Sequence, residues 1–189
     1  MTQHIPGTLH IPGPASRNVQ STQSEMTEIV LPNDTNLLGH LLGGRLMHFI
    51  DITGALAAYR HARLPVVTAS MDHIDFVRPV RLGDLLTLKS SVNRAFTSSM
   101  EVGVKVWAEH PLSGEVEHVA SAYLVFVAID PASGKPQRIP ELISETPDEL
   151  RRYNDARRRR EHREAEAVRR RSEAEQTAEQ VAGQAKSES

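Results

Sequence analysis

The chain has 189 residues, enough for one domain with some surplus, and its 39% hydrophobic and 4% aromatic content lies below the usual globular share. A net charge of −2 gives no overall pull toward nucleic acid or an anionic membrane. The absence of cysteine excludes disulfides, thiolate zinc sites and cysteine nucleophiles, and it fits a reducing compartment. The first residues lack the basic start and apolar run of a secretory signal, and no stretch reaches the ~18 consecutive apolar residues of a membrane span. The expectation is a cytoplasmic protein with neither a nucleic-acid nor a membrane partner.

Met1 to Ser24 is rich in Pro, Gly, Ser and Gln and is expected to be a flexible arm, because it cannot bury enough to offset the entropy of ordering. Glu25 to Leu31 is a short strand candidate. The polar turn Pro32-Asn33-Asp34-Thr35-Asn36 follows, with side chains able to cap backbone N–H groups. From about Leu42 the period becomes helical, with Leu46, Phe49, Ile50, Thr53, Leu56 and Ala57 on one face. The opposite side carries Met47, Ile52, Gly54, Ala55 and Ala58, so the helix reads as apolar nearly all round and needs something to wrap it. Arg60, His61 and Arg63 suit its C-terminal dipole, and Pro65 stops it.

The wrapping follows in four long runs. Val66 to Val77 is β-branched and partly alternating. Leu85 to Ala95 sets Leu86, Leu88, Ser90 and Val92 against Leu85, Thr87, Lys89 and Ser91. Met100 to Glu109 sets Val102, Val104 and Val106 against Gly103, Lys105 and Trp107, and Val116 to Ile129 closes the set. Hairpin-length links imply antiparallel pairing, and one helix across such a sheet is an α+β arrangement filling residues 25–145. From residue 146 to 189 the chain is rich in Ala, Glu, Arg and Gln with no apolar seam, which predicts a charged tail that is either a solvated, fraying helix or disordered.

Asp51 is the first chemical candidate, since an acid within an apolar helix is costly to bury without a partner. It is either an edge residue bonded to a neighbouring strand or a carboxylate acting as base or nucleophile in a cleft. Asn36, 15 residues earlier, reads from its surroundings as a turn or capping residue. Gly43 and Gly44 either loosen the helix start or let backbone N–H groups approach a carbonyl or phosphate oxygen. The histidines are scattered without HxxxH or HExxH spacing, so no metal site is expected, and neither a GxSxG elbow nor a P-loop is present.

PNDTNLLGHLLGGRLMHFID, VVTASMDHIDFVRPVRLGD, TSSMEVGVKVWAE and AYLVFVAID together resemble the hotdog-fold acyl-CoA thioesterases, most closely the short bacterial relatives of brain acyl-CoA hydrolase. The resemblance covers about residues 30–140 and implies a single hotdog domain, a curved antiparallel sheet wrapped around one long helix. It implies hydrolysis of acyl-CoA to a carboxylic acid and coenzyme A, with no cofactor beyond the coenzyme A of the substrate. By it Asn36 and Asp51 are the catalytic pair, and Gly43 and Gly44 bind the thioester carbonyl. Substrate contacts are further expected at Thr35, Ser98 and Ser99. Coenzyme A phosphates call for cations, for which Arg78 and Arg94 are candidates alongside Arg81, Lys89 and Lys105. The segment Arg94-Ala95-Phe96-Thr97 departs from the glycine and polar residue that relatives carry there, and Leu42 replaces their phenylalanine.

Asp51 lies about nine residues into the helix, or ~13 Å from its start at 1.5 Å per residue. One carbonyl cannot touch both, so the helix start of one protomer should meet Asp51 of another across a two-fold interface. A homo-oligomer follows, a dimer at least and by resemblance a trimer of dimers. Two other readings stand beside hydrolysis: a hotdog acyl-thioester dehydratase, with His48 one turn before Asp51, and a non-catalytic acyl-CoA-binding regulator. The DTN turn argues against the dehydratase.

Overall fold

The computed structural model describes residues 16–187. Alternating inward and outward side chains build five strands into one antiparallel sheet: β2 (Ser24–Ile29), β3 (Val66–Phe76), β4 (Leu85–Ala95), β5 (Ser99–Glu109) and β6 (Val116–Ala128). Their spatial order is β2-β4-β5-β6-β3, which leaves β2 and β3 as edges. The alternation sends Leu86, Leu88 and Val92 of β4, Val102, Val104 and Val106 of β5, and Ala122, Leu124 and Phe126 of β6 into one core.

The long helix α1 (Gly43–Ala62) lies on that inner face and buries Leu46, Phe49, Ile50, Ala57 and Ala58 against it. Gly54 sits so close to the sheet that an added Cβ would stand 3.2 Å from the Phe126 ring. Ser90, the one polar residue in β4's inward row, donates to the Thr53 carbonyl at 2.7 Å and so is satisfied within the core. The helix ends at Arg63, in the left-handed region at φ 53°, and Pro65 leads into β3.

The single chain wraps α1 on one side only. Met47, Ile52, Leu56 and Tyr59 remain exposed along the other side, beside exposed Val67 and Phe76 of the edge strand β3. The expected all-round burial is therefore not met within one protomer. β3 is also irregular, with register shifts between Thr68 and Ser70 and between Met71 and His73.

Two segments differ from their expected character. Of the N-terminal arm, residues 1–15 lie outside the described residues, but Ser16–Asn18 forms β1, pairing in parallel with β7 (Glu141–Ile143). Val19 and Thr22 that follow are buried, and the Thr22 hydroxyl accepts the Val92 N–H at 3.0 Å. The charged tail is one helix, α2 (Pro147–Ser187), and its first turns pack on the outer face of the sheet. Glu149 accepts the N–H groups of Glu145 and Thr146 while the Thr146 hydroxyl accepts the Glu149 N–H, a capping box that fixes where α2 begins.

The docking of α2 is polar. Glu101 of β5 is fully buried and accepts from Arg159 at 2.6 and 3.1 Å and from the Asn93 amide at 3.1 Å. Burial opposes the charge on Arg159, but its bonds to Glu101 outweigh this and raise its pKa. Arg163 pairs with Asp72 of β3, and Arg159 lies over the Tyr123 ring at 3.7 Å. Among the described residues no helix is long and apolar enough to cross a membrane.

Candidate active site

The turn before α1 is tied together by its own polar side chains. Buried Asp34 accepts from Arg45 at 2.7 Å and from the Leu31 N–H at 3.2 Å, and its carbonyl accepts the Leu42 N–H at 2.8 Å. The Thr35 hydroxyl donates to the Pro32 carbonyl at 2.9 Å, so it works within the turn. Gly39 turns the chain at φ +73°, where a side chain would be strained.

Asn36 projects from this turn. Its side-chain oxygen accepts the N–H groups of Leu38 and His40 at 2.9 and 3.2 Å. Two backbone donors converging on one atom fix the amide orientation, since an NH2 group could not accept them. The NH2 end points outward as a donor. Next to it, α1 starts behind Leu42, whose apolar side chain cannot cap, so the first N–H groups of the helix, at Gly43 and Gly44, are left for an external acceptor. Asn36, Gly43, Leu46, Phe76 and Arg78 line one cleft of about 320 Å³. The Arg78 guanidinium in its wall pairs with Glu117 at 2.6 Å.

Asp51 does not line that cleft. It stands two helical turns further on, about 12 Å from Gly43 by the helical rise, on the side of α1 that carries Met47 and Ile52. Its Oδ1 accepts the Thr68 hydroxyl of β3 at 2.7 Å, and among the described residues none bonds Oδ2. Thr68 was not among the residues singled out from the sequence. A β-branched residue in Val66-Val67-Thr68 looks like ordinary strand composition, and only the packing of β3 beside α1 brings it to Asp51.

The other candidates lie elsewhere on the chain. Arg94 is covered by α2, with its guanidinium 3.9 Å from the centre of the Tyr153 ring and donating to the Tyr153 carbonyl at 3.3 Å. Ser98 and Ser99 form the β4–β5 hairpin end beside Val127 and Ala128. Lys89 pairs with Glu25 at 3.2 Å on the outer face. Among the described residues no group of three His, Asp or Glu side chains is gathered to hold a metal ion.

Known proteins resemble this chain in sequence and in fold. Residues 38–115 match the Thioesterase superfamily domain. The chain is 43% identical over 143 residues to the uncharacterized acyl-CoA thioester hydrolase YkhA of Bacillus subtilis, covering 76% of this chain and 83% of that one. A hexameric acyl-CoA thioesterase superposes with a TM-score of 0.77 at 39% identity, covering 80% of this chain and 97% of that one. An acyl-CoA hydrolase of Staphylococcus aureus, seen with butyryl coenzyme A and coenzyme A, superposes with a TM-score of 0.76 at 37% identity, covering 88% and 99%. That enzyme was also crystallised with alanine replacing an asparagine, an aspartate and a threonine, spaced along its chain as Asn36, Asp51 and Thr68 are spaced here.

Proposed function

Because this chain belongs to the hotdog thioesterase superfamily and is an acyl-CoA thioester hydrolase, we propose that it cleaves its substrate at sites shared between two protomers. The observation that carries this is the distance along α1 between the Asn36–Gly43 cleft and Asp51. The thioester oxygen is received by the N–H groups of Gly43 and Gly44 and by the Asn36 NH2, donors already aimed and unengaged as negative charge develops there. Asp51 of a second copy works from the other side. With Oδ1 held by Thr68, its Oδ2 takes a proton from the attacking water, or attacks the carbonyl carbon itself to give an acyl–Asp51 anhydride that water hydrolyses to the free acid after the thiolate has left. The carbon–sulfur bond then breaks, and the coenzyme A thiolate leaves and regains a proton. Oxygen-18 in Asp51 after one turnover in labelled water distinguishes nucleophile from base.

The second copy is supported by what one chain leaves uncovered. The apolar side of α1 and the free edge of β3 lie together, and pairing β3 with its counterpart would continue the sheet, close the edge and bury that band. Three such pairs would then assemble as in the hexameric relatives. Arg78, beside Asn36 in the cleft, is placed to hold a coenzyme A phosphate in exchange for Glu117.

The test is complementation. Asn36→Ala and Asp51→Ala chains, each inactive alone in thiol release, are unfolded together and refolded. A shared site restores about a quarter of wild-type activity, because half of the pairs are mixed and each has one intact site of two. If each site lay within one chain, mixing would restore nothing.

A further inference from the structure

The distal half of α2 has no counterpart in the reaction, and its direction is informative. Arg152 and Tyr153 lie over β4, Arg159 over β5 and β6, and Arg163 reaches β3. From Tyr153 to Arg163 is ten residues, ~15 Å of helix, and β4 to β3 is three strand spacings, ~14 Å. α2 therefore runs almost perpendicular to the strands, straight toward the free edge. It does not stop there. Residues 164–187 continue the helix for about 36 Å, more than the ~24 Å width of a five-stranded sheet. Where α2 leaves β3, a groove of about 590 Å³ opens between them, lined by Met71, Asp72, His162, Glu166 and Arg170.

We infer that α2 is a clasp whose distal half lies on a second copy of this chain, alongside that copy's own α2. The inference rests on the shared-site reading above, which places a second β3 against the first. A two-fold axis at that seam sets the two α2 helices antiparallel, the distal half of each beside the proximal half of the other. Their charges match in that arrangement. Residues 147–163 carry seven arginines against four acids, whereas residues 164–187 carry five glutamates against three arginines and a lysine. Antiparallel pairing brings the net-positive half to the net-negative half, and parallel pairing would oppose like with like. With Arg163 over β3, the axis passes within about two residues of it, which fills the groove with the second copy's β3 and helix.

The chain allows a direct test because it has no cysteine. Val168→Cys, at a position 69% exposed on distal α2, carries a maleimide photo-crosslinker in protein mixed from light and nitrogen-15-labelled chains. The expected result is mixed-isotope linkage from residue 168 to peptides within residues 151–163 or 70–72 of the other chain. Sedimentation of the same sample separates the two readings. Assembled protein with links confined to one chain, absent, or mapped elsewhere on its neighbour overturns the clasp and leaves the shared site standing. A monomer at all concentrations overturns both.

Discussion

Asn36 uses its side-chain oxygen on two backbone N–H groups, and this commits the other end of the amide to donation. Asn36→Asp keeps the acceptor that shapes the turn, removes the donor and places charge where an oxyanion would form. Its kcat should fall about 10²–10³-fold with the melting temperature little changed, measured by thiol release and thermal unfolding. His61 is a second residue whose surroundings constrain its chemistry. It is buried, its Nε2–H donates to the Pro140 carbonyl at 2.9 Å, and its Nδ1 has no partner among the described residues. Burial pushes its pKa down, the Pro140 bond opposes this, and nearby Arg17 adds to the depression. The neutral ring is thus the folded form, and its contribution is intact above the unfolded value of ~6.5 and lost as pH falls below it, when the unfolded chain takes the proton first. Urea midpoints should drop between pH 7.5 and 5.5, and His61→Gln, which retains a donor for Pro140, should reduce that drop. An unchanged pH dependence in the variant would remove His61 from the account. Pattern alone left Asn36 a turn residue, and it is one. The donor role proposed for it rests on which end of the amide the turn consumes, which spacing does not display.

The elements divide by what holds them. β4, β5, β6 and α1 could be read within a residue or two, because each buries an apolar row at period 2 or 3.6. β1 and β7 are three residues each and carry no period to read. α2 was legible as a helix but not as a packed one. Apart from the small Ala156, its contacts are arginine–aromatic pairs at Tyr123, Tyr153 and Phe96 and an ion pair with Glu101, which an apolar period does not register. Glu101→Gln would leave Arg159 facing a neutral amide in a buried setting. The expected cost is about 3 kcal/mol in urea unfolding, with hydrogen-exchange protection lost first over residues 149–163. A loss confined to the sheet, with α2 still protected, would mean that the arginine–aromatic contacts hold the helix without the carboxylate.

At the scale of the molecule, the proposed shared site has one rigid helix carry parts of two different sites. The donors at its start and the carboxylate two turns on are inherited together, so the shared-site proposal predicts an unusual gene-dosage arithmetic. A chain bearing both Asn36→Ala and Asp51→Ala withholds one half from each site of any pair it joins. Mixed pairs are then wholly silent, and activity should follow the square of the wild-type fraction, falling to about a quarter at equal amounts. A chain with only Asp51→Ala spoils one site of the two, and the same titration should be a straight line. The curvature of a simple mixing experiment thus counts how many functional groups a damaged chain has lost, and a doubly damaged allele would be dominant where a singly damaged one is merely additive.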